Sequence, residues 1–357
     1  MRNLLFISLL CCLLIGCNEN KIDIKPFEHE ECNSIYYWRT DFRLDSIERD
    51  FLEKNNIGRM YIRFFDVVAE DNCFVSPLKA QFDILPNATL TFSDSIPGSI
   101  KHVVPTIYIT LDALKAMKGN ESNAASKIVH RTLNMVSYHE IPNVSELQLD
   151  CDWTESTDSI YFALCQAVRD TLNSVAEVPF TLSSTIRLHQ LRKEAPPFDY
   201  GVLMCYNTGS FRNPHAHNSI LDYNDVEPYF KNAINYPLHL DLALPIYDWT
   251  LCYRNNEFAG IIRSDSIFHT SFTKSIQYEV GLYQATANAQ MGQSSIREGD
   301  VLRHEKSDFN TILRVTNLID SRLSNKPKTI ILYHLDSKNI KNFSDNEISQ
   351  IYSRNDN

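Results

Sequence analysis

From residue 35 onward the apolar positions of this chain alternate between two habits. Short continuous runs such as Met60-Tyr61-Ile62-Arg63-Phe64-Phe65-Asp66-Val67-Val68 have the apolar density of strands buried on both faces. Other stretches are spaced by three and four, as in Phe162, Cys165, Val168 and Leu172, the stripe of an amphipathic helix. Strands are expected at 35–38, 60–68, 103–109, 147–153, 185–188, 201–206, 240–246 and 329–335. Helices are expected after Asp45-x-x-Glu48, across 122–138, from Asp158, near Asp225 to Ile234, across 307–323 and after Ser344-x-x-Glu347. Residues 69–101, with Pro77, Pro86 and Pro97, read as a long irregular excursion.

Eight strands with helices between most of them predict a (β/α)8 barrel over 35–337, followed by a C-terminal helix and tail at 338–357. The alternative is an open doubly wound α/β sheet. That fold ordinarily opens on a glycine-rich turn, and none of the 10 glycines here stands in a G-x-G-x-x-G arrangement. A long insertion after strand seven, 252–305, would leave the face that carries active sites in barrels, either as a lid or cleft wall or as a hairpin that only packs on its neighbours.

The amino terminus reads differently. Met1-Arg2-Asn3 precedes an apolar run from Leu4 to Ile15, the form of a secretory signal. Leu14-Ile15-Gly16-Cys17 resembles the bacterial lipobox, which implies removal of residues 1–16, lipid on Cys17 and a tether through residue 34. A plain signal peptide is the alternative. The expected address is extracytoplasmic, on a bacterial outer membrane or cell surface. A net charge of -10 with acids spread along the chain excludes nucleic acid as a partner, because neutralising phosphates needs clustered Lys and Arg.

Of the nine cysteines, Cys11 and Cys12 fall in the signal and Cys17 in the lipobox. Cys151, Cys165, Cys205 and Cys252 read as buried thiols, although Cys32 could pair with Cys73 in an oxidising compartment. No metal-ligand spacing, Gly-x-Ser-x-Gly or P-loop occurs, so neither metal nor cofactor is expected.

The candidate chemistry centres on strand four, Glu146-Leu147-Gln148-Leu149-Asp150-Cys151-Asp152-Trp153. Alternation puts Gln148, Asp150 and Asp152 on one face, with two acids at the strand's carboxyl end. The three tryptophans, Trp38, Trp153 and Trp249, fall at the carboxyl ends of strands one, four and seven, with Tyr37, Tyr206 and Tyr247 beside them. Flat aromatic faces stack on sugar rings, so a glycan is the expected partner. Glycoside hydrolysis needs two carboxyl groups flanking the bond; Asp152 with Asp248 is the candidate pair, Asp150 positioning Asp152, and Glu155 and Asp66 are further second acids. Arg63, Arg187, His189 and Asn207 are candidates for binding hydroxyls or acidic groups, as is His334 near the end of strand eight. Equally, either acid of strand four can form a structural ion pair with Arg63 or Arg187.

Leu149-Asp150-Cys151-Asp152-Trp153 resembles the Asp-x-Asp-x-Glu strand of family 18 glycoside hydrolases, which are (β/α)8 chitinase-like enzymes. Thr154 stands where that family has its acid Glu, and Glu155 is one residue out of phase. More broadly, Tyr36-Tyr37-Trp38-Arg39, Ile186-Arg187-Leu188-His189-Gln190 and Leu203-Met204-Cys205-Tyr206-Asn207 are similar to bacterial lipoproteins with a glycosidase-like barrel. The resemblance implies fold and location. Two functions follow as expectations: a membrane-anchored glycoside hydrolase-like protein, or a non-catalytic carbohydrate-binding or surface scaffold lipoprotein.

Overall fold

The computed structural model describes residues 30–69, 82–85, 89–214, 216–262, 273–276, 281–291 and 294–354. The expected signal, Cys17, most of the tether and Cys73 lie outside the described residues, as do parts of the 69–101 excursion and of the 252–305 insertion.

Eight strands, β1 (Ser34–Tyr37), β2 (Arg59–Ala69), β3 (His102–Ile109), β4 (Glu146–Cys151), β5 (Thr181–Arg187), β6 (Tyr200–Met204), β7 (His239–Pro245) and β8 (Ile330–Tyr333), pair in parallel in chain order. Ser34 opposite Ile331 and Ile35 opposite Leu332 join β1 to β8 and close the sheet. The chain is thus a (β/α)8 barrel and not an open doubly wound sheet. Above the barrel, Phe82–Leu85 pairs antiparallel with the far end of β2.

Outward-facing Leu147, Leu149 and Cys151 of β4 are fully buried, in keeping with strands covered on both faces. The covering helices are α1 (Ser46–Lys54), α2 (Glu121–Tyr138), α3 (Asp158–Val175), α4 (Phe309–Arg322) and α5 (Asp345–Ser353). Both expected capping boxes are present: the Glu48 N–H donates to Asp45 (2.9 Å) and the Glu347 N–H to Ser344 (3.3 Å), each glutamate reaching back to the cap residue's N–H. Cys151, Cys165, Cys205 and Cys252 are buried free thiols, as their settings in the sequence implied.

Two elements differ from expectation. The helix near 225–234 is a single turn, Tyr223–Val226, followed by a 3-10 turn at Glu227–Phe230, because Pro228 has no N–H to continue the ladder. Strand five starts at Thr181, earlier than expected, since its inward residues Ser183 and Thr185 are polar and break the apolar run. The insertion after β7 is a folded unit: Asp248–Arg254, Glu257–Ile262, Thr273–Ser275, Leu282–Ala285 and Val301–Lys306 form a separate five-stranded sheet. Cys252, Ile262, Ala285, Ile296 and Leu302 make its own small core.

The barrel interior is a polar column. At the amino-terminal end Glu146 accepts from the Tyr200 hydroxyl and from Ser183 (3.0 Å), with Arg59 Nε at 3.8 Å. One layer up, Gln148 Oε1 accepts from Tyr36 (2.7 Å) and Thr106 (3.3 Å). These groups are buried, so each needs its partner. Replacing Arg59 by Met leaves Glu146 buried without its cation and is expected to cost about 3 kcal/mol in urea denaturation, whereas Arg59→Met combined with Glu146→Gln recovers most of the loss. A single variant as stable as the wild type would remove the ion pair from the account.

Candidate functional site

At the top of the same column the polar groups come to the barrel mouth. Asp150 of β4 is 2 % exposed and accepts from Thr185 Oγ1 (2.7 Å) and Arg187 Nη2 (3.1 Å). Arg187 Nε donates to Asp152, whose side chain is 54 % exposed. One guanidinium at the end of β5 therefore bridges both acids of β4, and it sets them apart: Asp150 is sealed, Asp152 is open to solvent. Burial pushes the Asp150 carboxyl up, against the opposing pull of Arg187. Tyr108, beside Asp150 in the β3–β4 register, is pushed up to about 12 by burial and then by the Asp150 and Asp152 charges. Burial would lower Arg187, but the two carboxylates outweigh it and hold the guanidinium above its ordinary value.

A second arginine is prepared differently. Arg63 Nε donates to Asp66 Oδ1 (2.7 Å) and Nη2 to Oδ2, a bidentate fork. Strict alternation would put residues three apart on opposite faces; a bulge between Arg63 and Phe65 adds one residue and brings them together. The Arg63 guanidinium lies 5.5 Å from the centre of the Trp38 ring.

Aromatic side chains continue the wall. Tyr206 and Tyr333 stack at 4.3 Å, and Tyr333 also meets Trp38 and Tyr247, each at 5.7 Å. Tyr206 and Tyr247 are buried, whereas Trp38, Tyr108 and Tyr333 are half-buried and offer surface at the mouth. Tyr247 donates to Asn207 Oδ1 (2.6 Å), which fixes an exposed Asn207 in a left-handed backbone conformation (φ 53°). Trp249, on the first strand of the insertion, donates its Nε1 to Glu305 Oε2 (2.6 Å). Glu305 is itself buried, accepts from Ser219 (2.5 Å) and lies 2.7 Å from Arg303.

Several expected site residues are elsewhere. Trp153 is 1 % exposed: β4 ends at Cys151, and the indole stacks at 6.0 Å on Tyr161 and meets Phe162 edge-on at 5.4 Å, both from α3. It is a core residue, so the three tryptophans do not share one cleft. His189 does not alternate with Arg187, because Gln190 Oε1 accepts from the Arg187 N–H (2.7 Å) and closes a 3-10 turn that leaves His189 exposed. Asp248, the first residue of the insertion's first strand, accepts from Asn342 (2.9 Å). Its strand alternates, and Trp249 takes the Glu305 side.

Both alternative acids are ion-paired. Glu155 is fully exposed and paired with Lys193 (2.5 Å), and Asp66 is committed to Arg63. Thr154 is held in the turn after β4, its hydroxyl 3.0 Å from that of Ser156. His334 is driven down to about 4 by burial, which keeps it neutral. Among the described residues no cluster of His, Cys, Asp and Glu could hold a metal ion.

Tyr108, Tyr333 and Glu305 were not anticipated. The first two could have been found by applying to β3 and β8 the inward-position rule that singled out Asp150; Glu305 gives no comparable signal in the sequence, because its strand belongs to the insertion.

No protein-family model matches the chain, and no curated protein matches it. Among solved structures, a class V chitinase from Nicotiana tobaccum is 11 % identical, covering 91 % of this chain and 98 % of that one, at a TM-score of 0.49. A chitinase-like agglutinin from Robinia pseudoacacia is 12 % identical over 90 % and 99 % (TM-score 0.46), and a spore cortex-lytic enzyme from Bacillus megaterium 11 % over 92 % and 75 % (0.48).

The raised Asp150 carboxyl has a definite sign in stability. Its folded-state pKa lies above the ordinary 3.8, so its contribution to folding is intact below that value and is lost as pH climbs through the raised one. Urea denaturation between about pH 4 and 7 should show the wild type losing stability relative to Asp150→Asn. Parallel curves for the two chains would contradict the burial of an ionisable Asp150.

Proposed function

We propose that this protein is an extracytoplasmic, lipid-anchored carbohydrate-binding protein that uses a glycosidase-like barrel to hold a glycan without cleaving it. The observation that carries the reading is the state of Asp152: its carboxylate is tied to Arg187, the same guanidinium that holds Asp150. Cleavage by a carboxyl pair requires the two groups on either side of the glycosidic bond, about 5 to 9.5 Å apart. Binding asks for less.

Half-buried Trp38 and Tyr333 supply ring faces, and Arg63, Tyr108, Asp152, Arg187 and Asn207 supply donors and acceptors around them. Anchoring is supported by the apolar run that ends in Leu14-Ile15-Gly16-Cys17. No helix among the described residues is long and apolar enough to cross a membrane.

Immobilised protein lacking residues 1–20, challenged with a panel of bacterial and host polysaccharides, should retain at least one of them without releasing reducing ends. Trp38→Ala should weaken that retention about tenfold, equivalent to roughly 1.4 kcal/mol. Reducing ends that disappear in Asp152→Asn would make the protein a hydrolase; failure to retain any glycan would remove the mouth as a carbohydrate site.

A further inference from the structure

The chain enters the barrel at the end opposite the mouth. Glu30 to Asn33 run directly into β1, and Glu30 is pinned where the strands begin: its carboxylate lies 2.8 Å from His102 Nε2 at the start of β3, and its carbonyl accepts from Arg59 (3.3 Å). Glu31 lies 3.5 Å from Lys328, just before β8. Twelve residues lie between Cys17 and Glu30, a span of at most about 45 Å even when fully extended. To turn the mouth toward a membrane, the tether would have to run nearly straight along the height of the barrel.

Independent of the tether, the surface at this end is unusual. Helices return from the mouth, so α2 and α3 finish here, and Tyr138 (82 % exposed), Val175 (41 %) and Val178 (55 %) present apolar side chains to solvent. They are three of the five large hydrophobic residues exposed among those described; Ile47 and Ile261 lie elsewhere. On the same face a cavity of about 590 Å³ opens between the 324–328 loop and the end of α5, lined by Lys326, Lys328 and Arg354 together with His239 and Glu31. Exposed Glu140 and Glu177 offset part of that charge, so apolar side chains and the anchor, and not net charge, dominate.

We infer that this amino-terminal face seats on the lipid bilayer that carries the Cys17 anchor. Tyr138, Val175 and Val178 enter the headgroup region, exposed Lys326 meets lipid phosphate while Lys328 and Arg354 stay paired with Glu31 and Asp320, and the mouth points away from the membrane toward glycan. The inference rests on the lipid anchor proposed above. A lone aromatic with two valines binds a bilayer weakly by itself, but a tether that keeps the face within reach makes the contact intramolecular in effect.

The test uses the full-length lipidated chain in vesicles of phosphatidylethanolamine and phosphatidylglycerol, with its lipid verified by mass spectrometry and its amide exchange compared with the same chain in detergent. Exchange should slow several-fold at 137–140, 174–179 and 324–329 and stay unchanged at the mouth turns 154–157 and 207–210. In the triple variant Tyr138→Ser, Val175→Ser, Val178→Ser the slowing at the first two segments should disappear while the barrel strands keep their protection. A lipidated chain protected at the mouth, or nowhere, overturns the orientation alone; a chain without lipid on Cys17 overturns the anchor and the orientation with it.

Discussion

Ser34 opposite Ile331 and Ile35 opposite Leu332 are the pairings that turn an eight-stranded sheet into a closed one, and closure commits every second side chain to an enclosed interior. In an open sheet a polar residue on that face could reach solvent at an edge. Here it cannot, so each inward polar group must be satisfied by another inward group. β4 supplies Glu146, Gln148 and Asp150 at steps of two, and its neighbours answer at each level: Arg59, Ser183 and Tyr200, then Tyr36 and Thr106, then Thr185 and Arg187. A slip of one residue would turn Leu147, Leu149 and Cys151 inward and expose this entire set to the helices.

The site is the last level of that column, where enclosure ends. Lower down, Glu146 and Arg59 are both buried, and Glu146 accepts from Tyr200 and Ser183 within the protein. At the mouth the same pairing logic leaves capacity over. Arg187 engages one oxygen of Asp150 and one of Asp152, and the Asp152 side chain is more than half exposed. Trp38 and Tyr333 remain partly uncovered at this level. What reads as a binding site is thus a structural network interrupted by solvent.

Legibility in the sequence followed the range of the interaction involved. Strands were visible where burial leaves continuous apolar runs, strand five only in part because Ser183 and Thr185 interrupt its run, and both capping boxes were visible because a cap is decided within four residues. Alternation, which depends only on strand identity, put Asp150 and Asp152 on one side, and Arg187 joins the two there. Trp153 and His189 were misplaced because turns decide them: Gln190 donates to the Trp153 carbonyl (2.8 Å) and accepts from the Arg187 N–H, ending both strands sooner than the apolar pattern suggested. Arg63 with Asp66 depended on a bulge, and Asp248 and Trp249 on the register of an insertion whose partner strand begins about 50 residues later. None of these leaves a periodic trace.

The strand-four resemblance separates two things that usually travel together. An Asp-x-Asp ending inside a barrel serves architecture first, since buried acids there must find donors, and Arg187 and Thr185 provide them. Hydrolysis needs in addition a carboxyl group that stands clear of such partners and reaches the leaving oxygen. Position 154 holds a threonine whose N–H donates to Thr157 (3.0 Å) to shape the turn. Asp150 has a raised carboxyl but is sealed beneath Arg187, and Asp152 is exposed but tied to the same guanidinium. Neither acid stands clear of Arg187, and the two differ in exposure alone.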